Sequence, residues 1–265
     1  PYCIIIIVLC MKNFDKVQQM PVSEARALFT RMSSYRNLPA FTYSDSWMKS
    51  KLSDNEIIMD VGVGNGENAR DLAQSGHSVI GVDVRNDVQD EVNQGLWEFR
   101  TGSADCLPSE SSSVSAIWAN RLIHHLPDPD SFYSEAYRVL RPNGKLLVTW
   151  PIASDFLCSD PIASAAIREF LASGVNNFYN ASLGDTIDLA TSAGFYFVDS
   201  AFHSSRHFGP TPPYQLSNYY SSQYKLVNST LPPNEARAIE SFMFSLAQGN
   251  EWIDISLTSA FFVKP

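Results

Sequence analysis

The sequence predicts an α/β fold, a mostly parallel sheet with helices on both faces. Three observations carry that prediction. Apolar strand patterns at 57–61, 78–84, 97–102, 115–119 and 145–150 alternate with helical patterns, the arrangement of right-handed parallel crossovers. The first strand runs straight into three glycines, Gly62, Gly64 and Gly66, and then into a helix. A turn, Arg141-Pro-Asn-Gly144, stops a helix and leads directly into the apolar run 145–150.

Taken in order, 15–50 reads as helical in pieces, 23–32 and 44–52, ahead of the first strand. The helix over 67–74 places Ala69, Leu72 and Ala73 on one face and is closed by Gly76. A later helix, about 130–140, aligns Phe132, Ala136, Tyr137 and Leu140. Beyond Pro151 come helices at 164–173, ended by Gly174, and 183–193, ended by Gly194, then a strand at 195–202. An insertion at about 203–250 starts aromatic and proline-rich (Phe208, Tyr214, Tyr219, Tyr220, Tyr224), continues as a helix over 233–248, and precedes a last strand at 256–263. The chain therefore divides into an N-terminal extension with covering helices, 1–50, and one domain, 51–265, whose insertion is expected to act as a lid.

A chain of 265 residues that is 45% hydrophobic can bury one α/β core with an elaboration. Net charge is −9 and the basic residues are scattered, which argues against nucleic acid and an anionic membrane as partners. Cys3, Cys10, Cys106 and Cys158 show no paired spacing and the histidines no zinc-ligand spacing. Reduced thiols, a cytoplasmic location and no metal site are the expectation. The apolar run 2–11 is too short for a bilayer span of about 20 residues. It lacks the basic flank and cleavage site of a signal peptide, so it reads as sequence upstream of a start at Met11, or as an extra strand.

The segment Ile57-Ile-Met-Asp60-Val-Gly62-Val-Gly64-Asn-Gly66 is a strand ending in an acid, then a glycine turn at a helix start. Glycines let backbone approach a ligand, and the helix start offers free N–H groups, which is a nucleotide-cofactor geometry. Asp83 ends the next strand 21 residues after Gly62, where a carboxylate can accept from both ribose hydroxyls.

Asp60-x-Gly62-x-Gly64-x-Gly66, Gly81-Val-Asp83 and Arg138-Val-Leu-Arg-Pro-Asn-Gly-Lys-Leu-Leu-Val148 together resemble the class I S-adenosylmethionine (SAM) methyltransferases. The small-molecule branch, typified by ubiquinone/menaquinone-biosynthesis and trans-aconitate enzymes, is the most similar. The resemblance implies a Rossmann-like, seven-stranded sheet in the order 3-2-1-4-5-7-6 with the last strand antiparallel. It implies SAM as cofactor, with Asp60 and the backbone of Gly62, Gly64 and Gly66 at its amino-acid end. Asp83, beside Val84, would take the ribose hydroxyls. Asp105 would accept from the adenine amino group with Ala104 and Cys106 beside the ring, and Asn120 would open the loop nearest the transferable methyl. One departure is Pro142-Asn143-Gly144 where the family has Pro-Gly-Gly; asparagine also tolerates a left-handed turn.

His124 and His125, in Asn120-Arg-Leu-Ile-His-His-Leu-Pro, are the candidate catalytic residues, as general base or positioning groups. Arg121 is either a substrate carboxylate clamp or a solvated side chain. Tyr35 and Arg36 could close over the cofactor, and Trp118 or an insertion tyrosine could line the sulfonium. The expected activity is methyl transfer by in-line displacement to a small-molecule acceptor, by a monomer or homodimer. A SAM-binding regulator or cyclase, or transfer to protein or tRNA, are the alternatives. A nicotinamide oxidoreductase is disfavoured, because Glu67 breaks G-x-G-x-x-G and no Tyr-x-x-x-Lys occurs.

Overall fold

The computed structural model describes residues 39–64, 66–84, 95–152, 157–172, 182–208, 234 and 252–265. The apolar run 2–11, the expected helix 23–32, Tyr35, Arg36, the insertion tyrosines, and the helix expected over 233–248 apart from Asn234 lie outside the described residues.

Helix α1 (Pro39–Lys49) precedes strand β1 (Ile57–Val61), helix α2 (Glu67–Gln74) and strands β2 (Ser78–Asp83), β3 (Glu98–Thr101) and β4 (Val114–Asn120). A 3-10 turn, Ile123–His125, leads to α3 (Pro129–Val139), β5 (Leu140–Pro151) and a two-residue strand β6 (Leu157–Cys158). Then come α4 (Pro161–Ala172), α5 (Leu183–Ser192), β7 (Tyr196–Phe208) and β8 (Trp252–Val263). The sheet runs β3-β2-β1-β4-β5-β8-β6, with β7 on β8. Strands β3 to β5 pair in parallel, whereas β8 is antiparallel to both β5 and β7. Short β6 pairs with β8 at Asp254 and Ile253, just past the end of its pairing with β5. Without β6 the order is that of the predicted seven-stranded sheet.

Local chemistry explains the elements. Strand β1 is buried from Ile58 to Val61, as a central parallel strand covered on both faces must be. Helix α3 starts with Pro129 at its first turn and buries Phe132, Tyr133, Ala136 and Val139. Helix α5 opens with a capping box between Ser182 and Asp185. The expected turn at 141–144 lies inside β5, which starts at Leu140; there Asn143 adopts φ 61 and donates its N–H to the Lys264 carbonyl at 2.8 Å, so asparagine does take the left-handed position.

Each face of the sheet has its own apolar cluster. Met48 of α1 and Leu72 of α2 pack with Ile58, Trp97, Trp118 and Leu147 on one face. Helices α3 and α5 pack on the other with Val61, Ile117, Val148 and Phe262. Trp118 is fully enclosed in the first cluster, which corrects its expected place beside the cofactor sulfur. The strand ends also differ from expectation: β7 continues six residues past 202 and β8 starts at Trp252. The polar stretch after Phe202 shows no strand alternation. Pairing supplies the extension, held by Arg206, which donates to both Asp254 oxygens at 2.8 and 2.9 Å and stacks 3.6 Å over the Trp252 ring.

Candidate active site at the carboxyl ends of the parallel strands

The glycine segment turns sharply at the end of β1. Gly62 and Val63 both donate to the Val82 carbonyl, at 2.8 and 3.0 Å, which ties the turn to β2. Gly64 (φ 56) and Gly66 (φ 79) are both left-handed, yet their surroundings differ. A Cβ on Gly66 would lie 2.5 Å from Cζ2 of Trp97, whereas one on Gly64 would meet nothing closer than the Gly62 carbonyl oxygen at 4.0 Å. Gly66 is therefore glycine for packing, and Gly64 presents bare backbone to open space. That open, side-chain-free backbone beside a carboxylate fits a nucleoside-type cofactor.

Asp83, half-buried at the end of β2, accepts from the Gly64 N–H at 3.0 Å. The turn and the acid that the sequence places 19 residues apart are thus one hydrogen bond apart. Asp60 is 1% exposed near the end of β1, and Val84 is exposed just past β2. The Asp83 carbonyl accepts from the Gly102 N–H at 2.9 Å, bringing the 102–109 loop alongside. In that loop Ala104 is buried while Asp105 and Cys106 are exposed, so the acid expected at the adenine end is free of the core.

Sequence reasoning missed what holds this loop. Glu135 of α3 accepts from the Leu107 N–H at 2.8 Å, and Arg138 donates to the carbonyls of Leu107 and Ser109 at 3.0 and 2.8 Å. The two side chains also pair at 2.7 Å. The Arg138 hydrogen bond holds the Glu135 carboxyl below its ordinary range. Arg138 opens the Arg-Val-Leu-Arg-Pro motif, but only the fold shows what it clamps.

At the end of β4, Asn120 is 8% exposed and donates its amide to Asp45 Oδ1 of α1 at 2.8 Å. Arg121 then adopts φ 58, unusual for a side-chain-bearing residue, with its N–H bonded to the Thr149 carbonyl at 2.8 Å. That kink carries its guanidinium 4.8 Å over the Phe41 ring of α1. His124 is fully buried, and burial pushes its pKa well below the ordinary value, with His125 and Arg121 adding to the effect. Burial lowers His125 to about 4. Both imidazoles are therefore neutral at pH 7.

Helix α1 is fixed across the strand ends by hydroxyl groups. Ser44 Oγ lies 3.1 Å from Thr149 Oγ1 and 2.9 Å from Ser259 Oγ, all buried, and Ser259 Oγ lies 3.1 Å from His203 Nε2. His203 is buried with a lowered pKa, an effect that nearby Asp45 opposes. Neither Asp45 nor His203 carries a sequence motif; Asp45 meets Asn120, and His203 meets Ser259 and the Trp47 ring of α1, only because the fold lays α1 against β7 and β8.

Residues 59–148 match the family described as a methyltransferase domain. An uncharacterised methyltransferase of Schizosaccharomyces pombe is 27% identical over 68% of this chain and 72% of its own length. The sarcosine/dimethylglycine N-methyltransferase of Halorhodospira halochloris is 28% identical over 62% of this chain and 61% of its own. Among solved structures, a Haemonchus contortus phosphoethanolamine N-methyltransferase, in complex with S-adenosylhomocysteine, superposes with a TM-score of 0.56 at 19% identity. That likeness covers 89% of this chain and 57% of that one. The glycine turn, the strand-end acid and the antiparallel β8 thus lie in one fold, and residues 59–148 within it carry a methyltransferase domain.

Proposed function

We propose that the chain transfers a methyl group from SAM to a small-molecule acceptor at the carboxyl ends of β1, β2 and β4. The observation that carries this is the Asp83 carboxylate held by the Gly64 N–H. It pairs an acceptor for ribose hydroxyls with exposed turn backbone in one rigid unit. Asp60 and the Gly62–Gly66 turn take the amino-acid end of the cofactor, and Val84 lies beside the ribose. Asp105 accepts from the adenine amino group, with Ala104 and Cys106 at the ring. Asn120 borders the transferable methyl.

When bound, SAM supplies a methyl already activated on a positively charged sulfur. The protein's share is alignment and exclusion of water, which can account for about 7–11 kcal/mol of barrier. Helix α1 covers the acceptor side through Asp45 and Phe41. The neutral, enclosed His124 and its neighbour His125 serve to position the 3-10 turn after Asn120. Small-molecule transfer is supported by what the Halorhodospira relative is named for and by the scattered basic charge of this chain. A cytoplasmic site of action fits the unpaired cysteine spacing; among the described residues no helix is long and apolar enough to cross a membrane.

Calorimetric titration of the chain with SAM, S-adenosylhomocysteine and NAD tests the reading. Micromolar binding of the first two and none of NAD is expected. Failure of both sulfur nucleosides to bind would refute it.

A further inference from the structure

The acceptor side of the site carries a charge pattern that the methyltransferase fold by itself does not require. Helix α1 presents two residues one turn apart, Phe41 and Asp45, to the end of β4. Such neighbours stand about 5–6 Å apart on a helix surface. The Arg121 guanidinium sits on Phe41 at 4.8 Å, and the Asp45 carboxylate is bonded to the Asn120 amide at 2.8 Å. The end of β4 therefore meets a guanidinium resting on one residue of α1 and a carboxylate one turn further along the same helix.

Two further facts point to a ligand. The Asn120 side-chain oxygen is buried, in a residue only 8% exposed, and among the described residues it has no hydrogen-bond partner. A buried acceptor without a partner is costly until something donates to it. Among the described residues no carboxylate pairs with the Arg121 guanidinium, whose left-handed backbone nevertheless directs it back over α1. The rotation of α1 that aims both residues is locked from beneath by the buried Ser44–Thr149–Ser259 hydroxyl contacts. The arrangement is rigid and offers oxygen acceptors at one end and a planar cationic donor at the other.

We propose that Asp45, Asn120 and Arg121 form a subsite for the amine and the carboxylate of a small amino acid, which makes amino acids or N-alkyl amino acids the acceptor class. The amine donates to Asn120 Oδ1 and the Asp45 carboxylate, while the carboxylate is taken by the Arg121 fork. A substrate lacking either group leaves one end of the pair unmatched, which is the basis of selection. This inference rests on the methyltransferase reading above and specifies its acceptor.

The test is calorimetric titration of the full chain, saturated with S-adenosylhomocysteine, using glycine, sarcosine and acetate as probes. Glycine or sarcosine should bind at millimolar or better affinity and acetate more weakly. Asp45→Asn should weaken sarcosine at least tenfold and leave acetate unchanged; Arg121→Leu should abolish both. Retained S-adenosylhomocysteine binding in each variant shows that the fold is intact. Absence of glycine and sarcosine binding to the nucleoside-loaded wild type overturns the subsite while the methyltransferase reading stands. Equal loss of acetate in Asp45→Asn also overturns it. If the nucleoside itself fails to bind, the underlying reading falls and takes the subsite with it.

Discussion

Alanine at Gly64 and alanine at Gly66 should do opposite kinds of damage. Both residues are left-handed, at φ 56 and φ 79, so either change costs about 1–2 kcal/mol of backbone strain. At Gly66 the new methyl carbon would stand 2.5 Å from Trp97 Cζ2 and 3.1 Å from Cη2. The ring has little room to withdraw, because its far edge lies against Gly81 and beside Val63 in the α1/α2 cluster. Overpacking of this kind adds about 1–3 kcal/mol, for a total of about 2–5 kcal/mol. At Gly64 the methyl meets nothing within van der Waals range, so only the strain of about 1–2 kcal/mol applies. That methyl projects into the space assigned to the cofactor, and S-adenosylhomocysteine affinity should fall at least tenfold. Urea unfolding midpoints measure the first effect and calorimetry the second. Gly66→Ala should lose the larger share of stability; Gly64→Ala should keep most of its stability and lose its ligand. Wild-type affinity in Gly64→Ala, or equal stability of the two variants, would refute the reasoning.

Other consequences are equally direct. Asp83→Asn keeps an oxygen for the Gly64 N–H but removes the charge, and should weaken SAM binding at least tenfold by calorimetry with little change in unfolding midpoint; unchanged affinity would remove Asp83 from the site. Glu135→Gln deprives the Leu107 N–H and Arg138 of a charged partner, and should cost about 1–2 kcal/mol and loosen nucleoside binding. A variant with native affinity and midpoint would show that the clamp is dispensable. Acid should also destabilise the protein through its histidines. His124 and His125 stay neutral in the fold, whereas the unfolded chain takes up their protons near pH 6.5, so stability falls as pH drops from about 6.5 toward 4. For His125 the loss reaches at most about 3 kcal/mol, and urea midpoints at pH 7.5 and 5.0 check it; His125→Gln should flatten the dependence, and an unchanged midpoint in the wild type contradicts the burial argument.

The alternation of strands and helices and the glycine turn were legible because both are local. A parallel strand needs an apolar run, and a left-handed turn needs glycine or asparagine within a few residues. Asp83 was legible for the same reason, since strand–helix–strand spacing fixes where the second strand ends. The length of β7 was not, because residues 203–208 hold no apolar alternation and become strand only by pairing with β8. Trp118 was misplaced because composition says aromatic but not which face of the sheet it takes; the β1–β4 register puts it on the same face as Ile58 and Ala116, which α1 and α2 cover.

By itself, then, the sequence determined the fold class, the glycine turn and the acid at the end of β2, all products of short-range backbone chemistry. Tertiary structure alone decided what surrounds them. The Glu135–Arg138 clamp spans 28 to 31 residues to the loop it holds, Asp45 reaches 75 residues to Asn120, and Ser44 meets Ser259 across 215. No local rule connects such positions. They meet because α1 is laid across the strand ends and β8 is threaded antiparallel between β5 and β7, and the contacts of Asp45 and Ser44 exist only after both have happened.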